Sequence, residues 1–359
     1  MLVVACISSH GFGHGARVAA VLQALAARQP AFRFVLSTAL PAAFLRRTFV
    51  GLNYEHRSCQ WDVGVVQADA LGSDPEATVQ ALERLEQQLP QQIEAEARWL
   101  EHWRQAHEPV VIVADVPPAA ARLAERLGWP LLWHGNFGWD SIYADLGGPL
   151  QEWAQSSLAD YRRGQTLLRC PFALPMPWDV PVQPLGLGAS EPRFQLECIA
   201  ERLNWRGLRQ RSALLCFGGL GLPLEPALLQ SWPDWQFLVV NEALAQAANA
   251  TWLAEDLRPV DVMPLCSVVI TKPGYSTFAE ALSQDCGLVV VERSGFAEAE
   301  VLQKGLQQHG FHRLLTRRAF EQGQWLLDQP LAPPQGLPLP TDGAASASEW
   351  VFAALSQSR

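Results

Sequence analysis

The stretch SSHGFGHGARVAAVL follows the apolar run LVVACI and sets His10, His14 and Arg17 among Gly11, Gly13 and Gly15. Glycines permit a tight turn and a close ligand approach, and a helix that opens there offers backbone N–H groups to an anion. Imidazole titrates near neutrality, so a histidine on such a turn can take a proton from an attacking hydroxyl. A hydrogen-bonded turn histidine is the plainer account. Asp115 ends the run VVIVAD, just before two prolines that stop regular structure. A carboxylate there can orient an imidazole and stabilise its charged form, or it can cap the next helix. The segment WHGNFGWDSIYADL gathers His134, Asn136, Trp139, Asp140 and Tyr143, aromatic and amide groups that suit a sugar-like ligand.

In the second half, CFGGLG places Gly218, Gly219 and Gly221 after a strand-like run, and VVITKPGYSTFAEAL reads as strand, Lys-Pro-Gly turn and helix. Backbone amides in such turns can cradle a diphosphate. The chain has two lysines, Lys272 and Lys304, and the first lies inside this turn. Glu280 is one helical turn beyond Ser276, where a carboxylate can accept two hydrogen bonds from a ribose diol, although taken alone it reads as a surface carboxylate. Glu298 and Glu300, in VVVERSGFAEAEVL, can meet sugar hydroxyls or can simply be acids at a helix start. No Asp-x-Asp pair occurs, so a divalent ion on a nucleotide diphosphate has no evident ligand set, and no metal site is expected.

These residues need a scaffold that brings turns together. Short β-branched runs (LVVACIS, FRFVLST, VVIVADV, PLLWHGN) alternate with helical patterns, the grammar of a doubly wound parallel sheet. The Glu-, Gln- and Leu-rich span 74–105 reads as one or two long amphipathic helices over a sheet face. From 171 to 192 repeated prolines forbid helix and mark a domain boundary, after which the same alternation restarts with ALLCFGG, WQFLVVN, SVVITKPG and GLVVVE. The expectation is an α/β protein with a first Rossmann-like domain over 1–184, a second over 185–343, and a last helix over 344–359 that packs back on the first. Gly11, Gly13 and Ala16 match a loose dinucleotide spacing, but no acidic residue ends FRFVLST and no Walker lysine is present, so a nicotinamide site or P-loop fits poorly.

Composition narrows the function classes. The 359 residues are 49% hydrophobic and carry a net charge of −9, which argues against nucleic acid as a partner. No apolar run is long enough to span a bilayer, and the amino-terminal stretch has the look of a first buried strand rather than a signal peptide. ALPAAFLRRTFVGL mixes apolar residues with Arg46 and Arg47 as an interfacial helix does, an isolated hint of peripheral membrane contact. Seven scattered cysteines without a CxxC pair read as buried free thiols of a cytoplasmic protein. Of 14 tryptophans, Trp61, Trp139 and Trp178 lie in loop-like places where they can line a sugar pocket, although core positions account for most.

In this order the motifs SHGFGHGAR, VGVVQADAL, VADVPPAAARLA, NFGWDSIYADL, LADY with LLRCPFALPMP, FGG, TKPGYSTFAEAL and FAEAEVL resemble the nucleotide-sugar glycosyltransferases of the GT-B fold. Within them they resemble the glycosyltransferase-like amino-terminal half of L-arabinokinase-type proteins. The resemblance covers nearly the whole chain and implies two Rossmann-like domains facing a cleft. The acceptor would sit mostly on the first, near His10, Gly13, Arg17, Asn136, Trp139 and Asp140. The nucleotide sugar, with a UDP-sugar among the candidates, would sit mostly on the second. It further implies a histidine base paired with an aspartate, here His14 and Asp115, and a ribose-binding glutamate, here Glu280. Phosphate contacts would fall on Gly219, Gly274, Tyr275 and Ser276, with Gly218 and Lys272 beside them as our own addition. The kinase half of arabinokinases has no counterpart in these residues, so sugar-1-kinase activity is not expected.

The expected function is therefore transfer of a sugar from a nucleoside diphosphate to an acceptor hydroxyl, without metal or further cofactor and with inversion. A nucleotide-sugar epimerase and a non-catalytic nucleotide or sugar sensor are the alternatives the residues leave open. A histidine and aspartate too far apart to cooperate would favour the sensor.

Overall fold

The computed structural model describes residues 1–29, 31–66, 72–218, 224–293 and 295–357. Strands β1 (Leu2–Ile7), β2 (Arg33–Ser37), β3 (Tyr54–Arg57), β4 (Val110–Asp115), β5 (Leu131–Gly135), β6 (Thr166–Arg169) and β7 (Val182–Pro184) form one parallel sheet in the order β3-β2-β1-β4-β5-β6-β7. Strands β8 (Ser212–Cys216), β9 (Gln236–Val239), β10 (Ala250–Trp252), β11 (Val268–Thr271), β12 (Gly287–Val291) and β13 (His312–Leu315) form a second, in the order β10-β9-β8-β11-β12-β13. Two doubly wound α/β units result, as the alternation of strand and helix patterns implies.

The helices that matter here are α1 (Phe12–Arg28), α2 (Ala42–Thr48), α3 (Pro75–Trp103), α4 (Trp139–Leu146), α5 (Tyr275–Ser283), α6 (Ala297–His309) and α7 (Gly343–Gln357). The β1 side chains alternate between the two faces of the sheet. Val3, Ala5 and Ile7 pack against Val18, Val21, Leu22 and Leu25 of α1, whereas Leu2, Val4 and Cys6 share a core with Leu85, Leu89, Ile93, Ala97 and Leu100 of α3. Helix α3 is a single element: Asp74 caps it by accepting from the Ala77 N–H at 2.9 Å, and Pro75 occupies the first turn, where no N–H is needed.

Helix α7 returns from the end of the second unit to the first. Its Ala347, Val351 and Leu355 are buried in the α1 core, and the Gly343 N–H donates to the Leu187 carbonyl at 3.1 Å. In ALPAAFLRRTFVGL the residues Phe44, Leu45 and Phe49 are buried in the same core. The neighbouring Arg47 Nη1 donates to the Glu255 carbonyl of the second unit at 3.1 Å. All cysteines but Cys198 are buried. Among the described residues no helix is long and apolar enough to cross a membrane.

Candidate active site

Doubly wound sheets bind ligands where the strand order reverses, outside the carboxyl ends of the two strands that flank the reversal. In the first sheet those strands are β1 and β4, with Ile7 opposite Asp115. In the second they are β8 and β11, with Cys216 opposite Thr271. Both reversal points open onto one cleft of about 590 Å³ between the units. One wall carries His10, Gly13, His14, Arg17 and Asn136, and the other carries Gly218, Lys272, Gly274, Tyr275, Ser276, Glu280 and Glu298.

His14 lies in the first turn of α1, and its Nδ1 stands 2.8 Å from Oδ1 of Asp115. Arg17, one turn further on the same helix face, grips that carboxylate at both oxygens: Nη2 donates to Oδ1 at 2.6 Å and Nε to Oδ2 at 2.7 Å. His134 Nδ1 comes within 3.1 Å of Oδ2 but off the line of a hydrogen bond. Complete burial alone would raise the Asp115 carboxyl; the Arg17 guanidinium with His134 and His14 holds it well below the usual carboxylate range. The ionised form of Asp115 is thus favoured at the end of β4, and the Nδ1 of His14 faces it. A ring that donates its Nδ1 proton there keeps a lone pair at Nε2.

His10 stands beside this pair and is held neutral. Burial, the His14 ring and the cations Arg293 and Lys272 push it down to about 3. Its Nδ1 accepts from the Val65 N–H at 3.3 Å, and its ring stacks on Phe296 of the second unit with centroids 6.4 Å apart. Gly64 lies against it with φ +67°, and a Cβ there would overlap the His10 ring.

Across the cleft, Gly274 is the residue before α5, so the first N–H groups of that helix open beside the turn that carries Lys272. Burial and the nearby Arg293 lower Lys272, two cations brought together at one end of a helix dipole. Glu280, on α5, is pushed up to about 7, first by burial, with Arg258 opposing and Asp261 adding to the shift. Ser276 Oγ donates to the Gly13 carbonyl at 2.7 Å, and Arg17 lies over the Tyr275 ring at 4.9 Å. Glu298 is buried, raised by that burial, and accepts from Asn136 Nδ2 at 2.8 Å.

Asp115 lies behind His14 rather than in the cleft lining, and His134, Trp139, Asp140, Tyr143 and Glu300 stand outside the lining as well. Trp139 is fully buried and donates through Nε1 to Asp62 at 2.7 Å, backing the His10 ring rather than facing a ligand. Asp140 is buried behind it and accepts from Trp178 Nε1 at 3.1 Å; burial raises it to about 6. Glu300 is an exposed partner of Lys304 one turn on, at 3.5 Å. Trp61 and Trp178 are core residues as well. Gly219 and Gly221 lie outside the described residues. Sequence reasoning did not single out Phe12, Phe44, Phe137, Phe296, Arg258 and Arg293, all of which line the cleft. Phe12 stacks on Phe44 in that lining with centroids 4.6 Å apart, and isolated phenylalanines carry no signal that separates a cleft wall from a core.

No family model matches the chain. It is 30% identical over 336 residues to L-arabinokinase of Arabidopsis thaliana, a match that takes in 89% of this chain and 31% of that protein. The chain therefore spans about a third of the length of the relative it matches. Among solved structures it is similar to a UDP-glucosyltransferase from Polygonum tinctorium capable of glucosylating indoxyl (TM-score 0.58, 13% identity, 99% of this chain and 92% of that one). It is similar to a UDP-glucose: anthocyanidin 3-O-glucosyltransferase in complex with UDP (TM-score 0.58, 12% identity, 99% and 96%). A spinosyn rhamnosyltransferase gives a TM-score of 0.57 at 15% identity over 99% and 96%. At such identities the likeness is one of fold. The chain has the GT-B architecture of glycosyltransferases, the fold its motifs imply.

Proposed function

We propose that this protein is a metal-independent, inverting glycosyltransferase that moves a hexosyl or pentosyl group from a nucleoside diphosphate sugar to an acceptor hydroxyl. The observation that carries the reading is that His14, on the wall of a cleft whose opposite wall presents a helix amino terminus, Lys272 and Glu280, stands 2.8 Å from the buried Asp115 behind it. A histidine and aspartate out of reach would have favoured a binding module.

In this reading the acceptor O–H gives its proton to His14 Nε2 while its oxygen bonds to the anomeric carbon. The bond from that carbon to the phosphate oxygen breaks, and its electron pair leaves with the nucleoside diphosphate. Asp115 fixes the tautomer of the neutral ring and stabilises the imidazolium that forms from it. The diphosphate charge falls on Lys272, Arg293 and the N–H groups that open α5, which are already in place before reaction. The ribose hydroxyls donate to Glu280. The buried Glu280 carboxylate lacks a counter-charge strong enough to hold its pKa down, so two ribose hydrogen bonds supply what burial removes. The neighbouring solved structures act on or hold UDP and its sugars, so a UDP-sugar is the donor to test first. The acceptor meets the stacked Phe12 and Phe44 of the cleft lining.

The test is a thermal-shift screen with nucleoside diphosphates and their sugars, followed by mass spectrometry of products formed with an acceptor panel and NMR of the new anomeric bond. Stabilisation by one base, lost in Glu280→Ala, and transfer lost in His14→Ala are the expected results. No shift with any nucleotide overturns the reading, and sugar rearrangement without acceptor would make the protein an epimerase.

A further inference from the structure

We infer that Asn136 is a positioning residue that couples the second domain to the His14 and Asp115 pair, an inference that rests on the transferase reading above. The Asn136 side chain is the middle of an unbroken series. Its Oδ1 accepts from Arg17 Nη1 at 2.7 Å, and its Nδ2 donates to Glu298 Oε1 at 2.8 Å. Arg17 in turn holds both oxygens of Asp115, and Asp115 holds His14. Asn136 and Asp115 are 0% exposed, Arg17 2% and Glu298 8%, so water does not compete for these bonds.

The residue type fits the task. Arg17 offers only donors and an ionised Glu298 only acceptors, which fixes the orientation of the amide and makes it the group that satisfies both at once. An aspartate would set a second carboxylate against Glu298. An alanine would leave Arg17 Nη1 without its acceptor. Asn136 follows the end of β5 in the first unit and Glu298 is in the first turn of α6 in the second, so the bond between them crosses the cleft. A donor sugar that draws Glu298 toward its own hydroxyls, or a shift of the second unit, changes how Arg17 is held and hence where Asp115 sets the His14 ring. The base is therefore fully placed only when the donor domain is.

The experiment follows the His14 side-chain ¹⁵N signals by NMR in the full chain, together with kcat and KM, in Asn136→Ala, Glu298→Ala, Glu298→Gln and the Asn136→Ala/Glu298→Ala double variant. Expected are a displaced His14 signal in both single alanine variants and a kcat about ten-fold lower in Asn136→Ala with donor KM within about two-fold. Glu298→Gln keeps the signal near its wild-type position because its amide oxygen can accept the same bond, and the double variant is no worse than Glu298→Ala. The alanine at 298 tests the same bond from the other domain should the one at 136 fail to fold. His14 signals unmoved in both alanine variants overturn the inference whatever happens to kcat. A wild type that transfers no sugar sinks the transferase reading instead and leaves the signal to decide the coupling.

Discussion

Ser276 of the second domain and Gly13 of the first meet across the cleft: the serine Oγ donates to the glycine carbonyl at 2.7 Å, and a Cβ on Gly13 would stand only 3.2 Å from that same oxygen. The glycine at this position serves domain approach rather than turn geometry, since Gly13 lies inside α1. The sequence motif that suggested a ligand loop is thus also where the two halves of the protein touch.

Gly13→Ala will lower stability by about 1–2 kcal/mol, because either the serine or the domain contact must give way. In a Ser276→Ala background the oxygen is gone, and the Ser276 Cβ is an ordinary 3.5 Å from the added methyl. Urea unfolding of the four proteins in that cycle should show the Gly13→Ala penalty shrinking by more than half. Additive losses would mean that the methyl disturbs something other than Ser276.

Asp115→Asn will lower the transfer rate by about a thousand-fold, since the amide can present its N–H to His14 and turn the ring to the wrong tautomer. It will also destabilise the protein by about 3–5 kcal/mol, as Arg17 then keeps a buried charge with no anion. The pH dependence separates the two effects. In the wild type Asp115 titrates well below its ordinary value in the folded state. Its contribution to stability is therefore present above the unfolded pKa and lost as pH falls through the folded one. Acid unfolding curves of the variant should lack that loss, and curves that parallel the wild type would remove Asp115 from the ionised network.

Much of this site was legible because strand-end residues in a doubly wound sheet converge on the reversal of strand order. His14 and Asp115 are 101 residues apart in sequence, yet β1 and β4 pair directly and bring them together. Glu298 and Glu300 show where such reading stops. Two residues apart on a helix they point about 200° round from one another, so one faces the cleft and the other pairs with Lys304 in solvent. Trp139 and Asp140 sit at the start of α4 as a binding pair would, but that first turn packs on Trp178 and Asp62 instead of opening to the cleft. The sharing of Asp115 by Arg17, and the bridge through Asn136, depend on side-chain reach across elements, which no periodicity encodes.

Gly64→Ala tests the start of the VGVVQADAL segment, whose contact with His10 no residue spacing announced. The position has φ +67°, and a Cβ there would overlap the Nδ1 edge of the His10 side chain. Left-handed strain and overlap together predict about 2–4 kcal/mol of destabilisation. His10→Ala makes room for the methyl but leaves the backbone strain, so the double variant should recover part of the loss and no more. Full recovery in chemical unfolding would assign the whole cost to the overlap, and no recovery would take His10 out of contact with this loop.

Glu280 gives the sharpest pH signature. Burial raises its folded pKa to about 7, from an ordinary value near 4.5. Below about 4.5 the group is protonated in both states and contributes nothing. As pH rises from there to about 7 the unfolded chain releases the proton while the folded protein keeps it, so stability falls over that window and stays lower above it. Glu280→Gln removes the titration. Relative to wild type, the ligand-free variant should gain stability steadily between pH 4.5 and 7, by about 3 kcal/mol at the plateau. Melting temperatures at pH 4, 6 and 8 read this directly, and an unchanged difference across the series would show that Glu280 ionises normally in the fold. With saturating UDP the order should reverse at pH 8, since a ribose diol donates to a carboxylate better than to an amide. A variant still more stable than wild type under UDP would take Glu280 out of the donor site.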